Sequence, residues 1–214
     1  YYFYKYQYNF KTNYLYLFMT KGKDTKSTIL SAALTTVSQE GLEGLSFGKL
    51  AQNVGLSKSG LFAHFNSLEN LQIAVIQAAV DIFVEKVIAP ALKQPRGEPR
   101  IRAFSNNMFE WGKVFPGGCP FVSMATEMDD KPGPVRDFLV STQKDFLSVL
   151  ANAAQIAIEE GHFRKSLNPQ QFAYDFYSII LGFHHFHRLL NDSQAKSYYQ
   201  NAFTALINNS IAKE

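Results

Sequence analysis

A hydroxyl and a cation stand together near residue 58, at a position where they could bind phosphate. Ser57 and Lys58 open the segment SKSGLFAHF, in which Leu61 and Phe65 lie four residues apart, as on one face of a helix. The free N–H groups and the dipole at a helix N-terminus favour phosphate, and a serine and a lysine there add to the attraction. The pattern predicts a short helix whose first turn contacts phosphate.

The preceding residues predict a second short helix, joined to the first by a tight turn. Ser46 is a suitable N-cap, and Gly55 follows Ala51 by four residues. A small residue where two helices cross and a glycine in the turn are typical of a helix-turn-helix, whose second helix enters the major groove of DNA. An ordinary short helical hairpin is the alternative for this pattern alone.

Cys119 follows Pro116-Gly117-Gly118 at the predicted start of another short helix. A helix N-terminus lowers the pKa of a thiol, so this cysteine could sense oxidants or electrophiles. We favour the alternative, an inert buried cysteine. The cluster His184-His185-x-His187-Arg188 is a weak metal motif, because a helix brings together only His184 and His187 and two neutral ligands make a poor site. We predict no metal there, and expect these side chains to line a pocket or a dimer interface.

The sequence contains no nucleophile paired with a base, no suggestive pair of carboxylates and no phosphate-binding loop. We therefore predict that the chain is not an enzyme and uses no cofactor.

Apolar residues recur with helical spacing along the chain, which predicts an all-α fold of about nine helices. Ile29, Ala33 and Val37 form one face of a first helix that ends before Gly41, and a long helix begins at Ser67 and runs to Pro90. Further helices are expected at about 100–115, 120–128, 134–160, 169–190 and 194–212.

The chain has 214 residues, of which 46% are apolar and 18% charged, enough for one large core or two smaller ones. No apolar run approaches the roughly 18 to 20 residues that cross a bilayer, and no export signal is recognisable, so we expect a cytoplasmic protein. Residues 1–18 are rich in Tyr, Phe and Asn and precede Met19. We interpret them as a non-native or disordered leader, a packed N-terminal element being the alternative.

Positive charge is concentrated near the front of the chain. Residues 19–68 carry five lysines against three acidic residues, although the formal net charge of the whole chain is only +3. A surface that binds phosphate needs this local excess.

Residues 25–76 resemble the DNA-binding domain of the TetR family of transcriptional repressors. The resemblance rests on Ile29-Leu30-x-Ala32-Ala33-Leu34, Glu40-Gly41, Ser46, Leu50-Ala51, Gly55-Leu56-Ser57-Lys58, Leu61-Phe62-x-His64-Phe65 and Ser67-x-Glu69. It implies an N-terminal helix-turn-helix domain (19–68) and a C-terminal helical domain (69–214) that binds an effector and dimerises.

The resemblance also implies which residues contact operator DNA. Phe62 stands where the family commonly has Tyr, and Leu68 stands where it commonly has Lys, so two phosphate contacts are in doubt; the lysines of the N-terminal arm could compensate. For His64, packing between the first and fourth helices is the alternative to DNA contact. The expected DNA-binding residues are Lys26, Ser46, Lys58, Ser59, Gly60, Phe62 and His64.

For the second domain the resemblance implies a chamber for a small hydrophobic or aromatic effector. Aromatic and methionine side chains suit such a ligand, although for any single one of them plain core is the favoured alternative. The candidates are Phe104, Met108, Trp111, Phe115, Phe121, Met124, Phe146, Phe176 and His184. Phe138 belongs to the same group of aromatic side chains.

Wide apolar faces on the last two helices predict a homodimer. A two-fold dimer places its recognition helices about one DNA turn apart, so the expected partner is a palindromic double-stranded operator. The resemblance then implies a repressor that its effector releases from DNA. Two alternatives are a dimeric DNA-binding adaptor without a ligand and a thiol-based sensor that uses Cys119.

Overall fold

The computed structural model describes residues 21–212, and side chains from residue 25 onward. Within this range the chain forms nine helices and no strand apart from one isolated bridge between Phe163 and Ile211. The helices are α1 (Lys21–Glu40), α2 (Phe47–Val54), α3 (Lys58–Phe65), α4 (Leu68–Phe83, continued by Val84–Ile88 and Ala89–Leu92), α5 (Glu98–Trp111), α6 (Pro120–Met128), α7 (Pro134–Glu159), α8 (Pro169–His184, continued by His185–Leu189) and α9 (Ala195–Ser210). The all-α prediction is confirmed. The predicted leader, residues 1–18, lies outside the described residues.

The first three helices form the first domain, and their apolar side chains belong to a core that is continuous with the rest of the described chain. Ile29, Ala33 and Val37, which are spaced four residues apart on α1, are fully buried. They share a core with Leu50 of α2 and Leu61 of α3, which are also excluded from solvent. Because these helices are short, their stability depends on this packing rather than on helix propensity.

Helix α4 does not end at Pro90, as its sequence predicts, but continues to Leu92. Proline lacks an N–H group, and its ring clashes with the carbonyl four residues earlier in a regular α-helix. The structure widens to a π-helical turn at Val84–Ile88 just before Pro90, and the side-chain amide of Asn107 donates to the carbonyl of Val87 at 3.0 Å. The wider turn directly precedes the proline region, and the helix continues past Pro90 to Leu92, from the first domain into the second.

Helices α5 to α9 form the larger second domain with the C-terminal part of α4. Its core is aromatic, and the largest fully buried side chains include Trp111, Phe104, Phe172 and Phe176. The ring of Phe83 on α4 lies edge-on to Trp111 at 5.1 Å and to Phe146 at 5.0 Å between centroids. Edge-to-face contacts of this kind fix the rings in one arrangement.

None of the helices in residues 21–212 combines the length and the apolar character that crossing a membrane requires.

Candidate nucleic-acid interface and ligand cavity

The turn between α2 and α3 has the geometry that a helix-turn-helix requires. The hydroxyl of Ser46 accepts a hydrogen bond from the backbone N–H of Lys49 at 3.2 Å and thereby caps α2. At the other end Gly55 adopts a left-handed conformation with φ 69°, and Leu56 donates to the carbonyl of Ala51 at 3.0 Å. A residue with a side chain is strained in this conformation, which explains the glycine.

Helix α3 buries one face and exposes the other. Leu61 and Phe65 are buried against the core, and the hydroxyl of Ser57 caps the helix by accepting from the N–H of Gly60 at 3.0 Å. Phe62 is 48% exposed and lies edge-on to Phe47 at 5.4 Å between ring centroids. An apolar ring held at the surface is available to contact a thymine methyl group.

Cationic side chains flank this exposed face. Lys58 forms no ion pair with the side chains of residues 25–212, whereas Lys49 is paired with Glu40. The ammonium group of Lys26, near the start of α1, lies 5.6 Å from the ring centroid of Phe65. The N-terminal part of α1 therefore lies next to α3. Lys26 and Lys58 are therefore the lysines that this surface offers to phosphate.

All seven predicted DNA contacts are exposed. The set comprises Lys26, Ser46, Lys58, Ser59, Gly60, Phe62 and His64. The ring centroid of His64 lies 6.2 Å from that of Phe65, but the His64 side chain remains exposed. It is therefore not packed in a junction between α1 and α4.

The second domain contains a cavity of about 1220 Å³. Helices α4 to α8 all contribute to its wall. Asp137, Ser141, Lys144 and Ser148 of α7 line it and are also exposed to solvent, so the cavity opens along this helix. Its apolar lining consists of Val80, Phe83, Val84, Ile88, Ala89, Leu92, Met108, Cys119, Phe121, Val122, Val140, Phe146, Val149 and Ile180.

Three of the nine predicted ligand residues lie on the cavity wall, namely Met108, Phe121 and Phe146. Most of the others face away from it and fill the core beside the wall. Four are buried there, Phe104, Trp111, Met124 and Phe176, while Phe115 is half-buried against the Trp111 ring. Phe138, the further aromatic candidate, is half-buried against the same core.

His184 lies outside the cavity lining. Its Nε2 atom is buried without a hydrogen-bond partner beside Gly118 and Arg188. Burial, with the charge of Arg188 adding to it, lowers the pKa of His184, so the imidazole is neutral at physiological pH. His187 does not turn toward it but stacks on Phe183 at 5.2 Å.

Cys119 lies on the cavity wall, where its sulfur accepts a hydrogen bond from the indole N–H of Trp111 at 3.2 Å. Burial raises the pKa of the thiol, and the hydrogen bonds that the sulfur receives only partly oppose this effect. A raised pKa leaves little thiolate, which is the reactive form.

Helix α6 connects the cavity wall to the DNA-binding domain. Phe121 and Val122 near its start line the cavity, and Glu127 near its end accepts hydrogen bonds from the backbone N–H groups of Leu42 and Glu43, each at 2.6 Å. These two groups belong to the turn that follows α1. One helix therefore contacts both the cavity and the α1–α2 turn.

Two further contacts surround this connection. The backbone N–H of Gly117 donates to the hydroxyl of Ser38 on α1 at 3.2 Å, and Lys131 pairs with Glu43. The backbones approach so closely that a Cβ atom at Gly117 would overlap the backbone carbonyl of Ser38. The contacts of Ser38, Gly117 and Glu127 could not be predicted from the sequence, because each partner lies some eighty residues away along the chain.

Comparisons with known proteins agree with an N-terminal helix-turn-helix followed by a helical C-terminal domain. Residues 29–75 match the family of bacterial regulatory proteins called the tetR family, and residues 97–203 match the tetracyclin repressor-like C-terminal domain. The HTH-type transcriptional regulator RutR of Escherichia coli (strain K12) is 44% identical over 59 residues, a match that spans 28% of this chain and 28% of RutR.

Solved structures share the fold across almost the whole chain. A TetR regulator from Chloroflexus aurantiacus J-10-FL superposes with a TM-score of 0.80 at 22% identity, covering 91% of this chain and 100% of that one. E. coli NemR in its reduced form superposes with a TM-score of 0.75 at 18% identity, covering 88% of this chain and 98% of NemR. AibR, in complex with isovaleryl coenzyme A and operator DNA, superposes with a TM-score of 0.70 at 19% identity, covering 87% of this chain and 100% of AibR.

The C-terminal match covers half of the chain, and the N-terminal match covers the helix-turn-helix described above. Members of this family are DNA-binding transcription factors rather than enzymes. The chain belongs to the TetR family of transcriptional regulators.

Proposed function

We propose that this protein is a homodimeric repressor that binds a palindromic operator and leaves it when a small hydrophobic effector occupies the chamber, the cavity described above. The observation that carries the proposal is the position of α6, which forms part of the chamber wall at one end and caps the α1–α2 turn at the other. On this account the protein acts in the cytoplasm, where operator DNA is found.

Exposed apolar side chains on α8 and α9 support the dimer. Tyr174 is 67% exposed and Leu189 is 73% exposed, whereas the large apolar residues of the core are at most 9% exposed. The same surface includes Leu181, Phe186, Leu190 and Tyr198. A two-fold dimer through this surface would pair two copies of α3, and half-sites about 34 to 36 Å apart would then give a palindromic operator.

Release follows from differential affinity for two arrangements of the reading heads, the α1–α3 domains of the two protomers. A ligand that fits better when α6 has moved shifts the population toward the arrangement that does not match the half-site spacing. Effective release needs a coupling free energy of about 1 to 3 kcal/mol between the two sites.

The chamber favours this proposal over its two alternatives. An adaptor without a ligand has no use for a cavity of about 1220 Å³ in its second domain. A thiol sensor needs a reactive thiolate, whereas burial raises the pKa of Cys119.

The test is a gel-shift titration of the full chain against DNA from upstream of its own gene, with and without hydrophobic compounds, together with analytical ultracentrifugation. We expect a dimer that binds one specific fragment and releases it when a compound binds. A monomer, or an affinity for this fragment equal to that for random duplex at moderate salt, would overturn the proposal. Specific binding that no compound weakens would favour the adaptor.

A further inference from the structure

We propose that the chamber selects an uncharged, elongated lipophile that carries one hydroxyl or carbonyl group, and that Gln143 and Tyr177 bind this group. The inference rests on the proposed function, because it names the chemical class of the effector. It is tested by ligand binding alone, so that it can fail while the DNA-binding account stands.

Two polar side chains of the chamber lining are hydrogen-bonded to each other. The hydroxyl of Tyr177 on α8 donates to the side-chain carbonyl of Gln143 on α7 at 2.9 Å, and both residues line the chamber. Burial raises the pKa of Tyr177 to about 12, so the phenol keeps its proton at neutral pH.

This pair retains one unused donor and one unused acceptor. The side-chain nitrogen of Gln143 has no hydrogen-bond partner within residues 21–212, and the Tyr177 oxygen keeps lone pairs that can accept. A ligand hydroxyl can use both groups, whereas a carbonyl uses the amide donor. Thr142 also lines the chamber, but its hydroxyl donates to the carbonyl of Leu139 at 2.8 Å, and Asn152 is exposed. Apart from Asp145, the remaining buried and half-buried lining is apolar and requires an apolar body.

The charged residues of the lining disfavour an ionic ligand. Asp137 and Lys144 are exposed at the opening and Asp145 is half-buried, and these three form no ion pair within the described part of the chain. Two carboxylates and one ammonium group give no net attraction for an anion, and an ion that enters the apolar interior loses its hydration.

AibR was solved with isovaleryl coenzyme A, a ligand that carries several negative charges. The phosphates of a coenzyme A thioester require several cations, and among residues 21–212 the chamber lining offers Lys144 alone. We therefore expect no binding of isovaleryl coenzyme A at the concentrations at which a neutral lipophile of similar acyl size saturates the site.

Trp111, the single tryptophan of the chain, supplies the readout. Its ring stacks on Phe121 at 6.1 Å and contacts Phe83 at 5.1 Å between centroids, and both phenylalanines line the chamber. The full chain is titrated with 1-decanol, decanoate, decyltrimethylammonium or isovaleryl coenzyme A, with 1-decanol kept below its solubility limit and the charged decyl probes below their critical micelle concentrations. Tryptophan fluorescence should change only where the probe binds.

We expect 1-decanol to bind at least about tenfold more tightly than the three charged probes. The variants Gln143→Leu and Tyr177→Phe should each weaken 1-decanol binding about fivefold, as expected for the removal of one hydrogen bond. Gln155→Leu is the matched control, because Gln155 lies on the same helix but is exposed and donates to Glu159 outside the chamber.

Three outcomes would overturn the inference: a charged probe that binds as tightly as 1-decanol, an affinity for 1-decanol that both Gln143→Leu and Tyr177→Phe leave unchanged, or no binding of any probe. Operator binding, measured on the same samples by gel shift, shows whether the proposed function fails with it. Circular dichroism melting of each variant separates a direct effect on ligand binding from a misfolded domain.

Discussion

The DNA-binding domain and the chamber differ in how they use apolar side chains. In the first domain the large apolar residues are buried or half-buried against one another, and Phe62 is the large apolar ring left exposed on α3. In the second domain, aromatic residues surround a space of about 1220 Å³ that they do not fill. A rigid reading surface requires close packing, whereas a sensor must leave room for its ligand and accept a smaller packing energy.

The same truncation should therefore have different costs in the two regions. Leu61→Ala empties a fully buried position in the helix-turn-helix core, and we expect a loss of about 2 to 5 kcal/mol in unfolding free energy. Leu92→Ala removes a half-buried side chain that already borders the chamber, so we expect less than half of that loss.

Urea denaturation followed by circular dichroism measures both values. Equal losses would mean that the chamber wall is as tightly packed as the core of the first domain, which would break the comparison.

The junction between the two regions should be sensitive to a single methyl group. Gly117→Ala places a Cβ atom against the backbone carbonyl of Ser38, and we expect it to cost about 1 to 3 kcal/mol and to weaken operator binding. Gly112→Ala is the control, because a Cβ there would make only ordinary contacts, such as 3.6 Å to the carbonyl of Phe109. Thermal melts that show no difference between the two variants would contradict the close approach of the two domains.

The sequence predicted the first region better than the second, for a physical reason. Ser46, Gly55 and Ser57 act on backbone groups within a few residues of themselves, so their roles are visible in the local pattern. Phe104 and Phe121 are the same residue type on neighbouring helices, yet one fills the core and the other lines the chamber. Only the tertiary arrangement of the helices decides between these roles.

The end of α4 near Pro90 is another feature that the local sequence does not predict. Local rules predict that Pro90 ends α4, whereas the structure forms a π-helical turn just before it and continues the helix to Leu92. The bond between Glu127 and the α1–α2 turn could not be inferred either, since nothing near Glu127 in the sequence indicates a partner 85 residues away.

A smaller effect should mark the reading surface. Lys58→Ala removes an exposed cation that has no ion pair among the side chains of residues 25–212, so the fold should be unaffected while operator binding weakens. The slope of log affinity against log salt should become shallower by about 0.9 for each phosphate that the variant no longer neutralises.

Lys93→Ala is the matched control, an exposed lysine at the C-terminal end of α4, and it should leave the slope unchanged. Identical slopes for the two variants would remove Lys58 from the DNA-binding surface.

The central claim is that α6 couples the chamber to the reading head through Glu127. The decisive measurement is operator affinity with and without a saturating chamber ligand, in the unmodified protein and in Glu127→Ala. We expect the ligand to weaken operator binding by about 5- to 150-fold in the unmodified protein. In Glu127→Ala the ligand should still bind, but its effect on operator affinity should fall close to onefold. An undiminished ligand effect in this variant would contradict the account.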